Sequence, residues 1–314
     1  MQALDRGQVS LRLYPHVAPA PEIVQTMRRQ AAAAERAGFD GVMTSEHHGG
    51  FSGYIPQPLQ MAGFCLEATE RIWAAACPLL LPLQHWSHVA EQVAWQAARF
   101  PGRVGVGVAV GGLEQDFVLA DLDYAEKGNR WKHALPRFVE ALRGEAPDPL
   151  GLDPALAACG EAPIPVVVAA GGPVGVRRAA RQGVGVLYDS LQTVDRLREI
   201  SDAHAEAGGK APRIGIRRVW IGPPPSAQVE AQMDFYRGYA AKSAQDHWGK
   251  GQELVMGADG REVAEQLAEL ARQARLDAFN LRVHVTGLAP ERVEEQIERL
   301  GAETLPVLKA ALAG

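Results

Sequence analysis

Short apolar runs alternate along the chain with longer stretches in which apolar residues recur every three or four positions. These are the two periods of buried strands and amphipathic helices. Val9 to Leu13 is the first run, and it closes at Tyr14-Pro15-His16. Pro21 opens a helical stretch in which Val24, Met27, Ala31 and Ala34 share a face, with Gly38 as its stop. Val42 to Thr44 reads as a strand ending at Ser45-Glu46-His47-His48, followed by a glycine-rich loop from Gly49 to Gly53. The alternation continues with strands within Ile72–Leu83, Val104–Val108, Ile164–Ala170, Val184–Tyr188, Ile214–Ile221 and Asn280–Val285. Helices are predicted over Trp86–Ala98, Tyr124–Arg143, Val174–Gln182, Leu191–Glu206, Ala227–Ala244, Arg261–Arg275 and from Pro290 onward.

Eight valine-rich strands with intervening helices predict a single (β/α)8 TIM barrel, with an open doubly wound sheet as the alternative. No dinucleotide-binding glycine pattern follows an early strand, since the first crossover reads YPHVAPAPE. The 314 residues are read as one domain, with Gly144 to Pro163 as an irregular surface insertion. The glycines between Val104, Val106 and Val108 weaken a strand, so they mark a packed or ligand-facing position.

Composition narrows the function classes. At 47% hydrophobic and 22% charged residues the chain is neither disordered nor fibrous. Its net charge of −5, without a long basic run, gives no support for nucleic-acid binding. Cys65, Cys77 and Cys159 are odd in number and widely spaced, which describes neither a disulfide framework nor a thiolate metal site and suits a reducing compartment. The opening MQALDRGQVSLRLYP lacks the apolar core of a signal peptide, and no apolar stretch reaches the roughly 20 residues that cross a bilayer. A cytoplasmic protein without membrane contact is expected.

In a barrel the chemistry collects at the carboxyl ends of strands. Those ends carry His16, Glu46-His47-His48, Cys77-Pro78, Gly111-Gly112 and the loop Gly171 to Gly175. Adjacent side chains at a strand end diverge and no i,i+4 histidine pair is present, so no metal site is expected. His47 suits proton transfer near neutral pH, with Glu46 either orienting it or facing another loop. Gly171, Gly172 and Gly175 precede a helix bearing Arg177 and Arg178, which reads either as a phosphate cradle or as a turn using glycine for close packing. A Cys77-Pro78 bond is trans by default. Trp73, Trp86 and Trp95 are read as core packing or an aromatic wall, and His85 in LPLQHW is placed to enter the same cavity.

The segments GFDGVMTSEHHGG, LLLPLQHWSHVAEQVA and GRVGVGVAVGGLEQDF, with the late VHVTGLAPERVEEQI, resemble the bacterial luciferase-like flavin monooxygenase family from about Arg12 to Lys309. The resemblance implies a dimeric barrel that binds reduced flavin at the carboxyl ends of its strands. It places His47 and Glu46 on the family's Glu-His-His motif as the catalytic pair. It places a cis peptide beneath the flavin at Cys77-Pro78. Cofactor contacts are accordingly expected from Ala76, Cys77, Pro78, Gly111, Gly171, Gly172, Val174 and Gly175. His16, His48, His85 and Trp86 are expected to line the substrate pocket. One departure is Val110, where the family pattern has an arginine that contacts phosphate; Arg177, Arg178 or backbone amides are the candidates to replace it.

The implied activity is monooxygenation: reduced FMN arrives as a co-substrate from a separate flavin reductase, and one atom of oxygen passes to a small organic substrate. Two alternatives share the fold. One is hydride transfer with a deazaflavin coenzyme, and the other a non-catalytic flavin-binding homologue in which Val110 marks a degraded site.

Overall fold

Every strand but one of the computed structural model, which describes residues 2–239, 245–249 and 254–313, is largely buried, as a parallel sheet covered by helices requires. In chain order the main elements are β1 (Val9–Arg12), α1 (Ala20–Ala37), β2 (Gly41–Thr44), α2 (Pro58–Glu67), β3 (Trp73–Leu80), α3 (Trp86–Arg99) and β4 (Val104–Ala109). There follow α4 (Glu114–Leu119), α5 (Lys127–Ala141), α6 (Pro154–Ala158), β5 (Val166–Ala169), α7 (Pro173–Arg181), β6 (Gly185–Tyr188) and α8 (Val194–Glu206). The last are β7 (Arg213–Ile221), α9 (Ser226–Tyr239), β8 (Leu254–Gly257), α10 (Gly260–Ala274), β9 (Ala278–Arg282), α11 (Pro290–Arg299) and α12 (Leu305–Ala313).

Strands β1 to β7 pair in succession, all parallel, and β9 joins β7 to β1 through the registers Ile216↔Asn280 and Ser10↔Asn280. The ring is a closed eight-stranded TIM barrel whose strands are the eight predicted from periodicity. Among the described residues strand β8 pairs only with the far end of β7, from Arg218 to Ile221, and stands outside the ring. Four residues of mixed burial gave it no periodic signal. The predicted helix at Ala227–Ala244 is present through Tyr239, and its last residues lie outside the described ones. Among the described residues no helix is long and apolar enough to cross a membrane.

The segment Gly144 to Pro163 is more ordered than its composition predicts. Asp153 caps α6 by accepting from the amides of Ala155 and Leu156, and it accepts a third bond from the Trp95 indole at 3.0 Å. Leu156 is thereby buried in the layer between barrel and helices.

That layer holds most of the core, and a smaller cluster fills the barrel itself with Met43, Ala75, Cys77, Val167, Leu187 and Ile214, above Ala3 and Leu4. The glycines of β4 belong to this interior. A Cβ at Gly107 would lie 2.1 Å from Cys77 Sγ, and one at Gly105 would lie 2.8 Å from Leu4. They answer to packing, because the interior has no room for a methyl group there. Gly107→Ala is therefore expected to cost about 1–3 kcal/mol as an overpacking change. The check is the urea unfolding midpoint, which falls in Gly107→Ala and recovers in part when Cys77→Ala is added. An unchanged midpoint would contradict the packing account.

Candidate active site

Period-two alternation decides which strand residues face the barrel axis. In β1, Val9 and Leu11 pack outward and Ser10 and Arg12 face in; in β9, Phe279 and Leu281 pack outward and Asn280 and Arg282 face in. Arg218 of β7 also faces in. The barrel is apolar at its lower end and polar at the carboxyl ends of the strands. There a cavity of about 740 Å³ opens, within the usual size of a ligand pocket.

The Glu-His-His segment divides its work between two directions. Glu46 is buried and ties the end of β2 to β3: its amide donates to Pro78 O at 3.2 Å, and one carboxylate oxygen accepts from the Leu80 amide. The other oxygen meets His48 Nε2 at 2.8 Å. His48 thus turns into a side crevice with Gln57, Leu83 and Gln84. His47 instead faces the cavity, with Nδ1 2.8 Å from Asp116 Oδ2. Asp116, at the start of α4, also accepts from the His48 amide at 2.9 Å. Burial alone would raise the Asp116 carboxyl, but the bonds from His47 and the His48 amide hold it below the usual carboxylate range. The ionised carboxylate fixes the imidazole by its Nδ1 edge and leaves Nε2 for the cavity.

The remaining predicted residues separate clearly. Pro78, Gly111, Gly171 and Gly172 line the cavity, and the Cys77–Pro78 bond is cis. Pairing of β3 with β4 shifts register between Ala76 and Leu79, where proline cannot donate to the ladder. Ala76, Cys77, Val174 and Gly175 do not line the cavity. Ala76 and Cys77 are fully buried, and the Cys77 thiol is pushed up to about 12 by burial. Val174 is 69% exposed, and a Cβ at Gly175 would meet Ala170 at 2.8 Å.

None of the four predicted substrate-pocket residues lines the cavity. His16 is buried behind it, with Nδ1 on Leu288 O at 3.2 Å and Nε2 on Gln30 at 2.9 Å; burial lowers its pKa. His48 lies in the side crevice, His85 is exposed with Nδ1 2.7 Å from Ser87 Oγ, and Trp86 packs in the core. Arg177 is exposed beside Glu206, whereas the guanidinium at the Gly171-Gly172 turn is Arg196, which donates to Gly171 O at 3.1 Å. Val110 packs against the hydrophobic core.

Tyr14, Tyr54, Tyr236 and Tyr239 form one wall, with Tyr14 and Tyr54 edge to face at 5.4 Å and Tyr54 against the His47 ring at 4.5 Å. Ser45 Oγ and Gln192 Oε1 are buried on the cavity lining without hydrogen-bond partners. Orphaned polar atoms on a cavity wall ask for a polar ligand. Together with the glycine turn, the Arg196 guanidinium and the cavity size, they fit a flavin-sized cofactor with a phosphate. Among the described residues no cluster suited to a metal ion occurs.

A family model described as luciferase-like monooxygenase matches residues 10–305. The chain belongs to this family. A curated member, the F420-dependent glucose-6-phosphate dehydrogenase of Tsukamurella paurometabola, is 28% identical over 198 residues, which cover 57% of this chain and 59% of that protein. The chain thus matches less than two thirds of that relative's length. Among solved structures, monooxygenase RslO1 from Streptomyces bottropensis superposes with a TM-score of 0.79 at 18% identity, over 95% of this chain and 99% of that one. The oxygenating constituent of 3,6-diketocamphane monooxygenase from Pseudomonas putida, in complex with FMN, gives a TM-score of 0.76 at 17% identity, over 95% and 98%. These likenesses establish the TIM-barrel fold, and the relatives' names are those of oxidoreductases, one F420-dependent and one in complex with FMN.

The Glu46–His48 pair gives a pH-dependent test. The bond to Glu46 raises the His48 pKa above 6.5, its ordinary value. Its stabilisation is fully present below about pH 6.5 and is lost as pH rises through the raised folded value. The stability difference between wild type and His48→Gln, read by urea unfolding, should be larger at about pH 5.5 than at about pH 9. A difference that is flat with pH would contradict the pair.

Proposed function

We propose that this luciferase-like protein is a flavin-dependent monooxygenase that takes reduced FMN as a co-substrate from a separate reductase and oxidises a small organic molecule. The observation that carries the reading is His47, facing the cavity with Nδ1 held by a buried carboxylate and Nε2 free to move a proton. Gly171, Gly172, Gln192 and Arg196 would hold the phosphate end. Pro78 and Gly111 would border the ring. Bound reduced flavin supplies the two electrons that activate oxygen. The chain's own contribution is to seat that cofactor, to keep water out with the tyrosine wall, and to pass a proton at His47 Nε2. A homodimer working in the cytoplasm belongs to the same proposal.

A second reading, hydride transfer with the deazaflavin coenzyme F420, draws support from relatives such as the Tsukamurella paurometabola dehydrogenase. It uses the same cavity without oxygen.

Oxygen consumption by protein supplied with FMN, a flavin reductase with its reduced nicotinamide donor, and candidate small organic acceptors tests the first reading. His47→Ala should lower the coupled, hydrogen-peroxide-free part of that consumption by about 10²–10⁴-fold, the usual worth of a positioned acid or base. Asp116→Asn should lower it less, while leaving FMN affinity intact. Unchanged turnover in His47→Ala would remove the histidine from the mechanism.

A further inference from the structure

Three arginines stand in the polar end of the barrel, and their hydrogen-bond partners are neutral. Arg12, Arg218 and Arg282 are 3%, 5% and 4% exposed, so water does not screen them. Arg12 donates to Asn280 Oδ1 at 2.6 Å and Cys77 O at 3.0 Å, which largely satisfies it. Arg282 donates to the Tyr236 hydroxyl at 2.9 Å and His284 O at 3.1 Å, and lies over the Tyr14 ring at 3.8 Å.

Arg218 is less well served. Its Nη1 faces Gln232 Oε1 at 3.3 Å and the Met233 thioether at 3.2 Å, and its Nε is buried without a partner. The Gln232 amide cannot serve both guanidinium groups. Turned over, its oxygen accepts from Arg282 Nη2 at 2.9 Å and from Thr286, and Arg218 loses its one oxygen acceptor. This end of the cavity is therefore short of one strong acceptor while carrying two adjacent positive charges. The same charges act on Tyr14: burial would raise its phenol, yet Arg282, Arg12 and Arg218 hold it below the ordinary value. A buried charge left unpaired is costly unless an opposite charge joins it.

We infer that Arg218 and Arg282, at the tyrosine-walled end of the cavity, form an oxyanion subsite for the carboxylate or sulfonate of an organic substrate. Taking the occupant to be the substrate rests on the proposed function. The planar guanidinium fork suits a carboxylate or sulfonate, and Tyr14 and Tyr236 supply flat apolar surface for the attached carbon frame. Tyr14 touches Tyr54, and Tyr54 touches His47, so an anion held here leaves the rest of the molecule pointing along that wall toward the proton-handling residue. The second source of an oxyanion, the cofactor phosphate, is placed by the same reading at Arg196 and Gly171.

Calorimetric titration of flavin-free protein with benzoate, methanesulfonate and uncharged benzamide tests the subsite. At least one anion should bind at least about tenfold more tightly than benzamide, and Arg218→Met should abolish the difference. Arg218→Met should also melt no lower than wild type in anion-free buffer, because it removes an unpaired buried charge. Should that variant fail to fold, Arg218→Lys keeps the charge without the fork and should bind the anion with intermediate affinity. A parallel titration with FMN separates the sources: Arg218→Met leaves FMN affinity unchanged, and Arg196→Gln weakens it. Anions that bind no better than benzamide, or an Arg218→Met protein that loses FMN in place of the anion, would overturn the inference. Since the anion titration contains no flavin, its failure leaves the flavin reading standing, and a protein that binds anions but no flavin would fail only that reading.

Discussion

Arg12 is where closure of the barrel and construction of the site meet. Its guanidinium bonds Asn280 on the last strand and the Cys77 carbonyl on the third, and Asn280 in turn donates to Ser10 on the first at 2.8 Å. A charge this deep is tolerable only when its donors find acceptors, so the strands that carry those acceptors must be in register before the charge is satisfied. The same bond fixes the carbonyl just ahead of Pro78, and Pro78 borders the cavity. Barrel closure, the register shift in β3 and the cavity floor meet at one buried polar chain.

Around that floor the two histidines of a single motif are assigned by carboxylates of opposite placement. Glu46, tied by both the Leu80 amide and the Pro78 carbonyl, draws His48 aside; Asp116, brought in by the start of α4, draws His47 to the cavity. One face of the site is thus equipped for proton transfer, and the far wall is cationic and aromatic. A pocket with both properties is what the proposed acceptor, with a reactive end and a charged end, requires.

The architecture was legible because its strands are buried runs with a clear period, and the eight runs correspond to the eight barrel strands. Strand β8 was not, since its burial is mixed and it pairs at one edge only. His47 was placed by the strand end that carries it. Asp116 was hidden within LEQDF, where helix α4 delivers it across 69 residues of chain to His47. His16, His48, His85 and Trp86 shared the neighbourhood of strand ends, but direction is a matter of local hydrogen bonds that spacing does not encode. The arginines did leave a signal: SLRLY, IRRVWI and FNLRVH each put a charge inside a buried strand, an expensive placement that points inward under period-two alternation.

The account stands most directly on which reduced cofactor the cavity accepts. Anaerobic titration with reduced FMN and, in competition, with reduced F420 measures this without knowledge of the substrate. The account predicts saturable binding of reduced FMN that excess F420 does not displace; exclusive binding of F420 would contradict it and move the chemistry to hydride transfer.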